Sequence, residues 1–370
     1  MGASAVYYVA IGFVALLSHF LCKTTEYREL RVFSRTPKSF FASFVILLPL
    51  TFLILFRWNV GHDSRYGQSY STAYAAASEG LNTHGFEEGF FGLCSVFSKL
   101  GVPFFWFLFF LGLVFMLCVS YGIYKASVSP LLSVITFLFL MVYFDAYSAL
   151  RQGIVEGIAI AVFANVFTSP RTRKRDVLCI AAFLFASLFH SIALIYLIVY
   201  IACCVHIERK TLITLCITFV LLYPVTQIIL RTVMNVFTDS RYTFAGFASS
   251  YAIFTLAILV MCINNYDTIC AMSPNGSAII NYALIAFVFM FNSGALMLPF
   301  RVFDALKIGY VFIVPYVIRS TKKKEERVLF YLMIFALMGI WFFNAFYIDR
   351  SAFIDYRFVF PEWGTATKLP

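Results

Sequence analysis

Apolar runs of about 20 residues recur from one end of the chain to the other, and they constrain the fold more than any other feature. A helix of about 20 residues rises about 30 Å, which is the thickness of the hydrocarbon core of a bilayer. Hydrophobic residues make up 62% of the sequence and charged residues only 12%, which is more apolar surface than a water-soluble domain could bury. The sequence therefore predicts an all-α polytopic membrane protein with about 10–12 transmembrane helices in a single integral membrane domain, residues 1–370.

Basic residues lie in short loops between the apolar runs, which is the pattern of cytoplasmic loops in membrane proteins. The loop at residues 23–38 carries three Arg and two Lys against two Glu, and clusters at 169–176 and 319–327 continue the pattern. The net charge of +10 therefore marks the cytoplasmic side and does not indicate a nucleic-acid-binding domain. The first apolar run has no basic residue before it, so we interpret it as a retained span rather than a signal peptide.

The longest polar segment of the chain begins at Arg57, after the second predicted span, and this position places it on the external side. A loop of this length between helices is usually functional or disordered, and its Tyr, Trp and Phe residues argue against disorder. Its last part, residues 91–101, has the pattern of an amphipathic helix lying on the outer surface. We therefore predict a long external loop with an amphipathic segment over residues 57–101.

Residues 177–205 form one apolar stretch that is too long for one span and too short for the ~40 residues that two full spans need. Basic clusters flank this stretch on both sides, so a single crossing would place one cluster outside and invert every later loop. A broken helix hairpin keeps both clusters inside. Its tip is then predicted at His190 and Ser191, on the external side.

Charged residues also lie where this topology places the external ends of helices, against the usual inside bias. The apolar run at residues 150–167 opens with Arg151 and Gln152, and Glu156 follows one turn later. A charge in hydrocarbon costs at least about 2.5–3.5 kcal/mol on insertion scales, so these side chains are predicted to face a polar cavity or a partner. An arginine fork suits a phosphate or diphosphate because it donates two hydrogen bonds at once. The predicted external set is Arg57, His62, Asp63, Arg65, Tyr66, Glu87, Glu88, Arg151, Gln152, His190, Arg231, Arg241, Tyr242, Arg301 and Arg357.

Several of these residues have a structural interpretation beside the functional one. Any single arginine could snorkel at a helix end, and His190 could be a hydrogen-bonded structural residue as well as a catalyst. Asp63 and Glu88 are candidate general bases, and either could instead form an ion pair with one of the arginines. The segment around His84 contains His and Glu at helical spacing but no second histidine, so no metal site is predicted.

Five motifs follow one another along most of the chain. They are RWNVGHDSRY at 57–66, EEGF at 87–90, LRQGIVEGIAIAVF at 150–163, FASLFHSIALIYL at 185–197 and MLPFRVFDALKIGYVFIVP at 297–315. This ordered set resembles the motifs of the EpsG/Wzy-type polysaccharide polymerases. Two positions depart from that family's pattern: Glu88 precedes Gly89 without the usual proline, and Glu156 stands where the family prefers a small residue.

This resemblance implies a multi-pass enzyme of the bacterial cytoplasmic membrane with a GT-C-like helix bundle. It implies glycosyl transfer at the external face, where undecaprenyl-diphosphate-linked oligosaccharide repeat units are joined into an O-antigen, capsule or exopolysaccharide. No cofactor is implied, because the lipid-linked donor replaces a nucleotide sugar. The implied partners are that donor, membrane lipid, a chain-length regulator and a flippase, with no nucleic acid.

The same resemblance implies roles for the polar residues. The reaction displaces a diphosphate from an anomeric carbon, so it needs hydrogen-bond donors for the departing anion and a base near the acceptor hydroxyl. Arginines are assigned to the anion and one titratable side chain to the base. The assignments are Arg57, Arg151 and Arg301 for the diphosphate, His190, Asp63 or Glu88 for the base, and Tyr66, Gln152, Arg241 and Tyr242 for other substrate contacts.

Two other classes of protein compete with a polymerase. A transporter or flippase of lipid-linked oligosaccharide would place charges near the bilayer midplane and use discontinuous helices, whereas the predicted charges cluster at one face. A membrane O-acyltransferase also uses a histidine among arginines, so it is harder to separate from a polymerase.

Overall fold

The computed structural model of the protein describes residues 9–14, 37–58, 60, 70–237, 249–293, 297–348 and 356–360. Over these ranges nearly the whole chain is helical, and an isolated antiparallel β-bridge joins Arg57 to Phe358. Most buried apolar side chains form one continuous cluster, so the helices pack as a bundle around a shared core. The prediction of an all-α polytopic membrane protein is confirmed.

The first half of the bundle contains the helices that carry three of the five motifs. One of these helices carries Arg151 in its first turn, and two others flank His190. These helices are α1 (Pro37–Leu55), α2 (Tyr70–Ser78), α3 (Glu88–Lys99), α4 (Phe104–Ala126), α5 (Pro130–Phe139), α6 (Val142–Ser148), α7 (Leu150–Thr168), α8 (Arg173–Ser187) and α9 (Ala193–Cys203).

The second half begins with the longest described helix and contains two interrupted stretches. One is broken at Asn265, between the helices Ser249–Asn264 and Tyr266–Met272. A single turn of 3-10 helix at Lys307–Gly309 separates the helix Met297–Leu306 from the helix Tyr310–Ser320. The helices are α10 (Arg209–Phe237), α11 (Ser249–Asn264), α12 (Tyr266–Met272), α13 (Gly276–Asn292), α14 (Met297–Leu306), α15 (Tyr310–Ser320) and α16 (Lys324–Ile348).

Four described helices are long and apolar enough to cross a membrane, and α11 with α12 makes a fifth if this pair, bent by 80°, is one span. The 10–12 crossings predicted from the sequence exceed this number. The count covers the described residues alone, and several apolar stretches within them form shorter helices, such as α5 with 10 residues and α9 with 11. A helix of that length rises only about 15 Å and does not cross the hydrocarbon core by itself. The four long helices are α4, α7, α10 and α16.

Helix α7 lies inside the bundle, whereas α10 lies at its periphery. In the most apolar 18-residue window of α7, 67% of the residues are buried, whereas in the corresponding window of α10 only 6% are buried. Helix α4 packs closely along α7 at Gly122, where an added Cβ would lie 2.5 Å from Ile160 Cγ2. The polar first turns of α7 are therefore surrounded by protein rather than by lipid, which removes most of the cost of placing charges there.

Helices α8 and α9 run antiparallel and form a hairpin whose turn is at residues 188–192. At the other end of this hairpin, Arg171 Nη1 donates a hydrogen bond to the carbonyl oxygen of Cys204, at 3.2 Å. The Tyr200 hydroxyl donates a second bond to Asp176 Oδ1, at 2.6 Å. The end of α9 therefore returns to the level at which α8 begins, and the turn lies beside the first residues of α7.

Candidate functional site

Three motif segments meet at one end of α7, and Glu87 joins them. Glu87 Oε2 accepts a hydrogen bond from Arg151 Nη1 at 2.5 Å, across 64 residues of sequence. Its second oxygen, Oε1, accepts a bond from the backbone N–H of Ser191 at 3.4 Å. One carboxylate therefore links the start of α3, the start of α7 and the hairpin turn.

The guanidinium of Arg151 is held on several sides. Its Cζ lies 4.4 Å from the centre of the Phe86 ring, which is cation–π distance. It donates a further hydrogen bond to the hydroxyl oxygen of Tyr70, whose ring stacks on Phe86 with ring centroids 5.6 Å apart. The side chain of Arg151 still keeps 17% of its surface exposed. Arg151 is thus a positioned donor that an incoming anion can reach.

Gly89 permits the close approach of α3 to the hairpin turn. Its backbone N–H and that of Phe90 both donate to the carbonyl oxygen of Leu188, at 2.8 and 3.3 Å. A Cβ added to Gly89 would lie 2.6 Å from Leu188 Cβ and 2.7 Å from Leu188 O. The glycine of the EEGF motif is therefore required by packing, because a larger residue would push α3 away from the turn.

His190 lies in the turn, and the structure defines its neutral tautomer. The backbone N–H of Ile192 donates to His190 Nδ1 at 3.1 Å. Since a backbone amide can only donate, Nδ1 is the acceptor, and the proton of the neutral ring is on Nε2. His190 therefore offers an N–H at Nε2. To act as a base it would have to use the Nδ1 lone pair that Ile192 already occupies.

The charges of this site influence each other. Burial raises the pKa of Glu87, but a hydrogen bond from its own backbone N–H and the charge of Arg151 outweigh burial, so the pKa lies below the usual value. Burial lowers the pKa of His190, opposed by the Glu87 carboxylate and assisted by the Arg151 guanidinium. At neutral pH the site therefore contains an ionised Glu87, a charged Arg151 and a neutral His190.

A second polar cluster lies deeper, beside the second turn of α7. Gln152 Nε2 donates to Glu156 Oε1 at 2.7 Å, and Glu156 is fully buried. Lys307, also buried, forms ion pairs with Asp145 and with Asp304, the latter at 2.7 Å. Glu156 interacts electrostatically with all three of these charged groups. The polar residues at the start of α7 therefore face two groups of protein side chains, Arg151 toward Glu87 and Gln152 with Glu156 toward the lysine.

The sequence interpretation missed several residues that build these two clusters. Asp304 and Lys307 stand three apart and share a helix face, which was a signal for an ion pair. Tyr70 and Phe86 had no such signal, because aromatic residues are frequent throughout the chain. The missed residues are Tyr70, Phe86, Asp145, Asp304 and Lys307.

The other predicted site residues are placed as follows. Glu88 is exposed as the first residue of α3, and its neighbour Glu87 makes the contact with Arg151. Arg301 is exposed on α14, six residues before Lys307. Four predicted residues lie outside the described residues, so their assignments stay predictions: Asp63, Tyr66, Arg241 and Tyr242.

Arg57 is buried in protein, with 3% of its surface exposed. Its Nη1 donates to the carbonyl oxygen of Ile54 at 2.5 Å. The β-bridge to Phe358 forms here, flanked by a bond from the Trp58 N–H to Arg357 O at 2.9 Å. These contacts give Arg57 a structural role at the end of α1, whereas its assignment to a diphosphate remains a prediction.

The bundle and its site together define a class of protein: a helical membrane protein that presents an arginine, a carboxylate and a histidine at one end of its helices. The chain belongs to the EpsG family, whose sequence pattern matches residues 40–358. That range includes every described residue of the two clusters, and it confirms the resemblance seen in the motifs. No curated protein sequence and no solved structure matches the chain. Membership of this family indicates a glycosyltransferase-like polysaccharide polymerase in a membrane.

Proposed function

We propose that the protein joins oligosaccharide repeat units carried on undecaprenyl diphosphate into a surface polysaccharide, at the external face of the bacterial cytoplasmic membrane. A new glycosidic bond forms between an acceptor hydroxyl and the anomeric carbon of the donor, while the bond from that carbon to the diphosphate breaks. The proton of the hydroxyl passes to a base, and the electron pair leaves with the diphosphate. A chain-length regulator and a flippase are the proposed partner proteins.

The observation that carries this proposal is the position of Arg151. Its guanidinium uses Nη1 to bond Glu87 and remains partly exposed. A guanidinium has five N–H donors, which is more than the bonds to Glu87 and Tyr70 use. Held in place by Glu87, Phe86 and Tyr70, these donors can stabilise charge on a departing diphosphate without first reorganising.

The tautomer of His190 supports a donor role for this residue in the proposed reaction. Among the described residues, nothing accepts a hydrogen bond from its Nε2–H. An N–H at this position can bond a diphosphate or sugar oxygen. Asp63 and Glu88 are then the candidates for the base, since Glu87 is held as a carboxylate by Arg151.

The proposed function is tested by reconstitution of the purified protein in liposomes with lipid-diphosphate-linked repeat units. The glycans are separated by length after incubation. Longer glycans are expected. Transfer of unchanged repeat units across the bilayer would instead identify a flippase, and glycans that gain acyl groups from an added acyl donor would identify an acyltransferase.

Substitutions of His190 separate three roles by geometry. Glutamine places an amide N–H near the position of Nε2, whereas asparagine places its carbonyl near Nδ1. If the ring acts as a donor, His190→Gln keeps most of the activity and His190→Asn loses about tenfold or more. Loss in both variants, with both folded, would indicate a base. Retention of activity only in His190→Asn would indicate a structural acceptor for Ile192.

His190 also predicts how stability depends on pH. Because its pKa is lowered in the folded protein, its stabilising contribution is fully present above the unfolded value of about 6.5 and is lost as the pH falls through the lowered pKa. The melting temperature in detergent is expected to fall as the pH is lowered below about 6.5. His190→Gln should flatten this part of the curve. An unchanged slope in that variant would contradict burial of a neutral imidazole.

A further inference from the structure

A cavity of about 580 Å³ lies at the opposite end of α7 from Arg151, between α4, α7 and α8. Eighteen residues of helix separate Arg151 from Ser169 at the cavity, a distance of about 27 Å. The cavity is therefore distinct from the site described above. The polymerase chemistry proposed there does not use it.

One end of the cavity is basic. Lys174 and Arg175, in the first turn of α8, both line it, as does Thr172 before that turn. Positively charged side chains and the N-terminus of a 15-residue helix favour an anion at the same position. Lys174 is exposed and has no ion-pair partner in the part of the chain that the structure describes.

Arg175 gives an independent indication of a missing partner. Its side chain is only 9% exposed, and Nη1 donates to the carbonyl oxygen of Ser169 at 2.6 Å. Its Nε–H is buried and has no hydrogen-bond partner among the described residues. A buried donor without an acceptor costs about 1–3 kcal/mol, so a ligand oxygen in this cavity would recover that loss.

Apolar side chains line another part of the cavity, next to an exposed apolar face of α8. Val162, Leu178 and Ala182 line this part, and Leu178 keeps 59% of its surface exposed. Val177 beside it is 65% exposed, as expected for a helix face in contact with acyl chains. A ligand that fits must therefore join an anionic head to an apolar chain.

We propose that this cavity binds an anionic phospholipid. The phosphate lies at Lys174 and Arg175, and an acyl chain follows the apolar wall between α7 and α8. The loop at residues 169–176 carries four basic residues against one aspartate, which is the pattern of the cytoplasmic face. Basic pockets between helices on that face are suited to anionic lipid headgroups.

The test measures lipid retention by native mass spectrometry of the full-length, delipidated protein in detergent. Dioleoylphosphatidylglycerol is compared with dioleoylphosphatidylcholine, which has the same acyl chains and no net charge, and with inorganic phosphate. We expect preferential retention of the anionic lipid. Equal retention of the two lipids, or displacement of the anionic lipid by inorganic phosphate, would overturn the proposal.

Two variants and one control locate the binding. Lys174→Gln should weaken retention about fivefold, and Ala182→Phe should abolish it by filling the apolar part. Lys174 is chosen because Arg175 also holds the end of α7 through Ser169 O, and its loss could unfold the region. Lys322→Gln removes an exposed basic residue elsewhere and should leave retention unchanged. An equal loss in the control, or no loss in either cavity variant, would contradict binding at this cavity.

Discussion

Arg151→Lys is expected to lower polymer synthesis by about 10²–10³-fold, the loss typical of removing one positioned donor for a developing anion. Lysine keeps the positive charge. Its shorter reach and single ammonium cannot bond Glu87 Oε2, stack on Phe86 and still offer a planar pair of N–H groups to a diphosphate. The measurement is the length distribution of glycan made by the reconstituted protein, normalised to protein in the membrane.

Arg319→Lys is the matched control for this substitution. Arg319 is exposed near the end of α15, and no described contact joins it to the site. The same chemical change there should leave polymer length unaltered. Normal polymer from Arg151→Lys would show that positive charge alone is sufficient, and the bidentate role of Arg151 would be abandoned.

Gly89→Ala is expected to lower both stability and activity. The new methyl group would lie 2.6 Å from Leu188 Cβ and 2.7 Å from Leu188 O, so α3 must move away from the hairpin turn. Such overpacking costs about 1–3 kcal/mol of folding free energy. Displacement of Glu87 by about 1 Å from Arg151 and Ser191 would lower activity by about 10²-fold. Thermal melting in detergent and the glycan assay measure the two effects.

Gly92→Ala is the control for Gly89→Ala, because it makes the same change on the same helix. An added Cβ at Gly92 meets no atom within 4 Å. Alanine there should stabilise α3 by up to about 1 kcal/mol through helix propensity, with normal activity. If both variants behave alike, the effect at Gly89 comes from the helix itself, and contact with Leu188 does not explain it.

Much of the site could be predicted from local sequence. Arg151 opens an apolar run, and His190 interrupts another, so the cost of burying a polar side chain in an apolar environment marked both residues. The structure brings these two residues together through Glu87. Hydropathy measures the length of an apolar stretch but does not show where a turn divides it, as the turn at residues 188–192 divides α8 from α9.

The choice between neighbouring carboxylates could not be made from the sequence. Glu87 and Glu88 are adjacent, and successive residues at a helix start point in directions about 100° apart. Which of them meets Arg151 depends on how α3 is rotated against the hairpin turn. That rotation is set by the contact of Gly89 with Leu188.

The sequence by itself determined the class of protein, the family and the two polar positions on apolar runs, because hydropathy, charge and short motifs are properties of adjacent residues. The tertiary structure alone decided that Glu87 holds Arg151, that Lys307 pairs with Asp145, and that His190 carries its proton on Nε2. The first two arrangements join residues far apart in the chain, so they depend on how the helices pack. The third depends on the backbone geometry of the hairpin turn, which places one N–H within hydrogen-bonding distance of one ring nitrogen.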